Sequence, residues 1–438
     1  MEATPTARGL DLTGPRSWLP ACVLAVVAGT IAYGFAARAA GHELGASLAP
    51  FLWDWRPKVG PSALPAAVLL AAGVTIAPRL LRTGVRPWAF AAAALGFGLG
   101  LRVALGSARG LEGLWSVYQL GHHEAASEYL PVLPAFDFGT RFFLDTFAEV
   151  GTSLPVHAVG HPPGLLVLLH WLGIDDARGM AALTIGGGAL AIPLCYLLAR
   201  SLMDEARARM ATLLYVFAPS AVLYGATSAD ALYATLALVA AIPLAAATRR
   251  NAPLAGGAAA LAVASFFSYA NLAVGAWATL LTERRAGPRR AVLLAAACGA
   301  ALVAFYGLLH LATGYDPVGA LHSAESVYRE GIASRRPYAF WVLGSPAAFL
   351  GALGLPIAWY ALRAAAAGWA PALALAAVVV IAALLGFTKA ETERIYQFLV
   401  PIACVSAAAA LPRRLLPAAL MVLAAQALAI ELLVYTVW

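Results

Sequence analysis

Apolar runs of span length recur along the whole chain, separated by short polar or basic connections. A helix that crosses a bilayer needs about 20 apolar residues. Runs that meet or approach this lie at 17–38, 62–81, 87–106, 178–199, 209–226, 229–247, 253–268, 270–282, 290–312, 344–363, 369–387, 397–412 and 415–437. The pattern predicts an all-α polytopic membrane protein with about 13 transmembrane helices. Region 253–282 is the weakest part of it. Two short Gly- and Ala-rich halves flank Ser265, Ser268, Tyr269 and Asn271, which suits a hairpin that does not cross fully.

One long stretch breaks the alternation. Residues 121–164 hold four of the eight histidines and five carboxylates, Glu124, Glu128, Asp137, Asp145 and Glu149. The run LLVLLHWLG that follows is too short to span, so 163–172 is expected as a juxtamembrane helix, with Pro162 and Pro163 at its first turn. The run FFLDTF at 142–147 predicts a second one.

Composition agrees with the pattern: 62% of residues are hydrophobic and 12% charged, against about 25% charged in soluble domains. The net charge of +7 is nearly all arginine, the only lysines being Lys58 and Lys389. The arginines punctuate apolar spans, so topology explains them better than nucleic acid, and no nucleic-acid partner is expected. Basic connections at Arg79/Arg82/Arg86, Arg200/Arg207/Arg209, Arg249/Arg250, Arg284/Arg285/Arg289/Arg290 and Arg413/Arg414 fall on alternate loops. The positive-inside rule puts them in the cytoplasm and the N-terminus with them. The other face then receives 39–61, the long loop 107–177, the turn at 228–230, and the segments 313–343 and 388–396. The first apolar run is long enough to span and reads as a retained helix. Cys22, Cys195, Cys298 and Cys404 all lie in apolar runs without metal-ligand spacing, as small core residues do.

Chemistry is expected on that second face. Glu128 and Asp137, then Glu124, are the candidates for a general base. His122, His123 and Glu124 make a divalent cation a candidate cofactor, although their spacing is not that of a metal motif and no metal ligand is assigned. His157 and His161 flank VHAVGHPPG, where adjacent prolines fix the backbone, and an imidazole placed there suits a phosphate or an acceptor. Asp230 sits at the mouth of a helical hairpin with Tyr224, Thr227 and Ser228 nearby. In TKAETERIYQFLVP, residues 388–401, Glu393 and Arg394 stand out, because an arginine fork reads phosphate bidentately. Arg335 and Arg336, beside Tyr338 and Trp341, suit an anionic headgroup or a sugar face. For each of these the plain alternative is a charge facing water or lipid headgroups.

The order of these pieces resembles a known pattern. A long external loop ends in HPPG; a span and the basic connection LLARSLMDEARARM follow; the next span ends at Pro219 with Asp230 close behind; ETERIYQFLVP comes late. Together they resemble the GT-C superfamily of integral membrane glycosyltransferases, the group with the protein mannosyltransferases, aminoarabinose transferases and actinobacterial arabinosyltransferases. The resemblance covers roughly 87–412. It makes 1–86 a cytoplasmic tail with two additional helices and 87–438 the catalytic module. It implies a polyprenyl-phosphate sugar donor and an envelope glycan, lipid or protein acceptor. It also implies an active site on the external face of a plasma (inner) membrane and a base in the first long loop. An Asp-Asp or Asp-Glu pair at the start of that loop is missing here. Donor phosphate or sugar contacts would fall to Arg394, Glu393, His161, His157, Asp230, Arg335 and Arg336.

Two other classes fit the same composition. A transporter or flippase of a lipid-linked or polar solute would show inverted repeats and charges at midplane, whereas here the charges gather at one face. A non-catalytic scaffold of the same fold would keep the bundle without the chemistry.

Overall fold

The computed structural model describes residues 14, 16–81 and 84–436. Arg82, most of the N-terminal tail and the end of the last expected span lie outside them. The described chain is almost entirely helical, with one two-stranded antiparallel ribbon pairing Asp54–Trp55 with Val434–Tyr435.

Among the described residues seven helices are long and apolar enough to cross a membrane: Leu19–Ala39, Pro61–Leu81, Pro87–Gly106, Ala177–Leu202, Asp230–Ala247, Pro288–Thr313 and Arg413–Leu433. The chain is thus an all-α membrane protein. The other expected spans are helical but shorter or broken. Helix Glu205–Phe217 stops where Pro219 forces a new start. Helices Leu254–Ser265 and Leu272–Ala286 are the two halves of the weak region, joined by a single turn at Tyr269–Asn271. Ala370–Leu385 has 16 residues and Val400–Ala410 has 11. The expected span 344–363 is two helices, Tyr338–Leu353 and Leu355–Ala366, bent by 116°. The bend sits at Gly354, whose φ of +102° is open to glycine but not to side-chain-bearing residues. Of the thirteen expected spans, seven are helices of span length among the described residues, or eight if the bent pair counts as one.

Burial orders the bundle. Helix Asp230–Ala247 is its axis, with 72% of its apolar window buried, while Pro288–Thr313 is peripheral, with 11%. Helix starts follow local chemistry. Proline opens Pro87–Gly106 and Pro288–Thr313, where a missing amide donor costs nothing. The side chains of Asp176, Asp204 and Asp316 accept the first free amides of their helices.

The two ends of the bundle differ in charge. At one end Arg209 donates to the Leu80 and Val85 carbonyls, Arg207 to that of Ala408, and Arg290 to that of Ala247. The basic connections meet there. At the other end the long loop packs beneath a strap made from the chain's two extremes. Helices Thr140–Val150 and Gly164–Leu172 form where short amphipathic helices were expected, the second ended by Gly173 in the left-handed region. Five of the nine residues of Gly164–Leu172 are buried, so this helix is part of the core rather than a surface rider.

Candidate functional site

Three chain segments meet at the loop-bearing end, and each arrives there for a local reason. The first is the break at 218–230. Pro219 ends one helix, a turn follows, and Asp230 opens the next, with its carboxylate at a helix N-terminus that favours negative charge. Ser228 Oγ donates to Asp230 Oδ2 at 2.7 Å and accepts from the Asp230 amide at 3.2 Å, which fixes the rotamer.

The second segment is 388–401. Ala390 and Glu391 both have positive φ, +67° and +61°, a conformation that costs on the order of 1–3 kcal/mol for each side-chain-bearing residue. This strained corner turns the single helical turn Thr392–Ile395 inward. Arg394 Nη1 then donates to Asp230 Oδ2 at 2.6 Å, and its Nη2 to Glu391 Oε2 at 2.8 Å. Arg336 donates to Glu391 Oε1 at 2.8 Å and to the Lys389 carbonyl at 2.6 Å. The result is a buried chain of charge, Asp230–Arg394–Glu391–Arg336. Glu393 points the other way and accepts the Leu52 amide at 2.7 Å, with its second oxygen buried and without a partner.

The third segment is the polar loop. Glu124 lies 3.6 Å from His123 and 4.0 Å from His157, with about a fifth of its side chain open to solvent. Glu128 is buried close enough to Tyr118, Tyr129 and Arg394 to act on their ionisation. The Tyr233 hydroxyl donates to that of Tyr129 at 2.9 Å, and the His161 ring lies 5.1 Å from the Tyr233 ring with its Nδ1 buried and unpartnered.

Burial and charge set the protonation states. Burial raises the Glu124 carboxyl above its usual range. Burial, opposed by the Leu52 amide, pushes Glu393 up to about 7. Burial would also raise Glu391, but Arg336 and Arg394 outweigh it and hold this carboxyl down to about 2. Burial, with help from Arg394, lowers His157 to about 3 and His161 to about 4, so both are neutral imidazoles near pH 7. Burial would lower the Arg394 guanidinium, but Asp230 and Glu391 overcome this and raise it.

Comparison with family models, characterised proteins and solved structures finds no match to this chain.

Of the residues singled out in the sequence, the fold gathers Glu124, Glu128, His157, His161, Asp230, Arg336, Glu393 and Arg394 at one place. Asp137 is exposed on the turn Leu130–Phe138 and Arg335 is exposed on Ile332–Arg335. Neither has a hydrogen bond or ion pair to the cluster among the described residues. Asp145 and Glu149 belong to helix Thr140–Val150. Arg394, expected to grip a phosphate, is instead held between two carboxylates, so a phosphate would have to compete with them for the fork. Glu391 is the hub that the sequence reading left out of the site. Its signal was the Glu391–Arg394 spacing of three, short enough for a local ion pair. Leu52 and Trp53 also join the site, and nothing local announced them: Trp53 Nε1 donates to the Tyr224 hydroxyl at 2.7 Å. Among the described residues no group of three or more His, Cys, Asp or Glu is arranged to hold a metal ion, so the candidate divalent cation has no ready-made site there.

Proposed function

We propose that the protein is a membrane-embedded glycosyltransferase of the GT-C type. It moves a sugar from a polyprenyl-phosphate donor to an acceptor hydroxyl at the loop-bearing end of the bundle. The basic end faces the cytoplasm in this reading and the loop-bearing end faces outward. The shorter helices complete the span count together with their neighbours.

One observation carries the reading. Four carboxylates, Glu124, Glu128, Asp230 and Glu391, crowd around two buried arginines at the end of an apolar bundle. Such an excess of negative charge in a low dielectric favours positive charge developing on a bound substrate, as at the anomeric carbon of a sugar leaving its phosphate. Glu124 is the proton acceptor. It is open enough for a hydroxyl to reach, and its raised proton affinity makes its carboxylate a stronger base. In a single displacement the acceptor oxygen gives its proton to Glu124 and bonds to the anomeric carbon. The bond from that carbon to the phosphate oxygen breaks, and the phosphate keeps the electron pair. The anomer inverts. Arg394 is a positioning residue that holds Asp230 and Glu391 in place.

The donor phosphate falls to Arg335 and Lys389. Lys389 lies beside the cluster, since Arg336 bonds its carbonyl and its Nζ reaches the Ala333 carbonyl at 3.3 Å, and Arg335 is the exposed chain neighbour of Arg336. Neither has a carboxylate partner among the described residues. The test uses membranes carrying the full chain and a labelled polyprenyl-phosphate sugar. Glu124→Gln should abolish transfer and leave donor binding intact, and the product of the unaltered chain should have the inverted anomer. Retention of the donor anomer, or full activity in Glu124→Gln, rejects the mechanism.

A further inference from the structure

A cavity of about 480 Å³ is lined in part by Leu223 and Thr227, on the turn that leads to Asp230. It forms where the ends of helices Pro87–Gly106 and Arg413–Leu433 meet the ribbon Asp54–Trp55/Val434–Tyr435. Arg56, Lys58, Arg109, Glu431, Thr227 and Tyr435 supply its polar wall, and Leu223 and Val434 contribute to its apolar side. Two of these cations are already balanced. Arg109 lies 3.5 Å from Glu431, and Arg56 3.2 Å from Asp54. Lys58 has no carboxylate partner among the described residues; its Nζ donates to the Arg109 carbonyl at 2.6 Å. Glu112, also on the wall, is exposed.

A second unbalanced cation lies beneath. Arg102, one helical turn before Gly106, is 2% exposed inside an apolar helix. Its Nη2 reaches the Tyr215 hydroxyl at 3.4 Å, and its Nη1 is buried without a partner. No carboxylate pairs with it among the described residues. The guanidinium packs under the turn whose Leu223 and Thr227 line the cavity, so closely that a Cβ at Gly225 would meet Arg102 Nε at 2.7 Å. A buried charge left without a counter-charge is strongly unfavourable in such a setting, and Arg102 lies behind the cavity wall rather than on it.

We propose that this cavity binds an anionic, phosphate-bearing ligand, held by Lys58 and Arg56 at the mouth with Arg102 beneath the floor. The part-apolar wall and the position at the ends of two apolar helices suit a phosphate that carries an apolar stem. The same chemistry is offered by a phospholipid headgroup and by a free phosphate ester. Because Ser228, next to Thr227, holds Asp230, occupancy would also stiffen the wall shared with the Arg394 cluster.

The full chain, in neutral detergent or in phosphatidylcholine nanodiscs, is given phosphatidylglycerol or inorganic phosphate. Binding is read by native mass spectrometry and by the shift in melting temperature. Phosphatidylglycerol should bind, and about tenfold more weakly in Lys58→Gln and in Arg56→Gln, the loss of one charge-assisted contact each. These side chains are exposed, so the variants should fold. If inorganic phosphate alone gives the same Lys58-dependent shift, the site is a phosphate-ester site rather than a headgroup site. Binding of neither probe, or equal binding in both variants and the unaltered chain, overturns the proposal. The cavity contains neither Glu124 nor Arg394, so its failure would leave the transferase reading standing, and the reverse also holds.

Discussion

Arg394 Nη1 sits 2.6 Å from Asp230 Oδ2, although 164 positions separate the two residues in the chain. One opens the axial helix of the bundle and the other lies on a one-turn helix that follows a strained corner. Their contact, shared with Glu391, fixes how the late segment docks on the bundle.

Breaking that contact should be costly. Removing one partner of a buried ion pair typically destabilises by about 3–5 kcal/mol, because the other charge is left without compensation. Asp230→Ala and Arg394→Ala should each lower the melting temperature in detergent. The double variant should melt well above the sum of the two losses. Strictly additive losses would show that the pair is not coupled.

Glu124→Gln should lower transfer by about 100-fold or more, the usual contribution of a positioned base. Asp137→Asn should leave it within the error of the assay, because Asp137 is exposed and outside the cluster. A labelled-donor assay on membranes reads both. The reverse ranking would move the base to Asp137.

Glu393 should give the protein a pH-dependent stability with a defined sign. Its carboxyl is raised from 4.5 to about 7 in the fold. The folded state therefore holds a proton that the unfolded state has released between these values, and this contribution is lost as pH rises through about 7. Glu393→Gln should gain melting temperature relative to the unaltered chain between pH 5 and pH 8. A difference independent of pH would rule out a neutral Glu393.

His157 acts in the opposite direction. Burial and Arg394 lower it from 6.5 to about 3, so its contribution is present above pH 6.5 and is lost as pH falls toward 3. His157→Gln should lose less melting temperature than the unaltered chain between pH 7 and pH 4. Parallel acid limbs in the two proteins would argue against a buried neutral imidazole.

Gly354→Ala should destabilise by roughly 1–3 kcal/mol, the strain of a side chain at positive φ. The added Cβ would also run into Leu423 and Pro219. The expected result is a lower melting temperature, and an unchanged one would mean that the 116° bend does not depend on glycine.

Much of the architecture was legible because hydrophobic periodicity and proline placement act locally. The ends of the apolar runs matched helix ends to within a few residues at Leu19–Ala39, Pro87–Gly106 and Asp230–Ala247. Where the reading slipped, a local break was hidden inside an apolar run. Gly354 looked like one more small residue in a span, and its positive φ is a property of how Leu355–Ala366 packs back on its neighbours. In the same way Gly164–Leu172 looked like a helix lying on a surface, because its length excluded a span, but five of its residues are buried in the core.

The site divides along the same line. The sequence by itself determined that charge would be scarce, that it would concentrate in 121–164, 228–230 and 388–394, and that these stretches lie between apolar helices, because apolar length and charge placement are local quantities. Only the tertiary structure decided which charges touch. It put Arg394 between Asp230 and Glu391, brought Leu52 to Glu393, left Asp137 and Arg335 exposed, and set Arg102 under a cavity without a counter-charge. The physical reason is that ion pairing in a low dielectric depends on separations of a few ångströms between residues hundreds of positions apart, and no local pattern carries that distance.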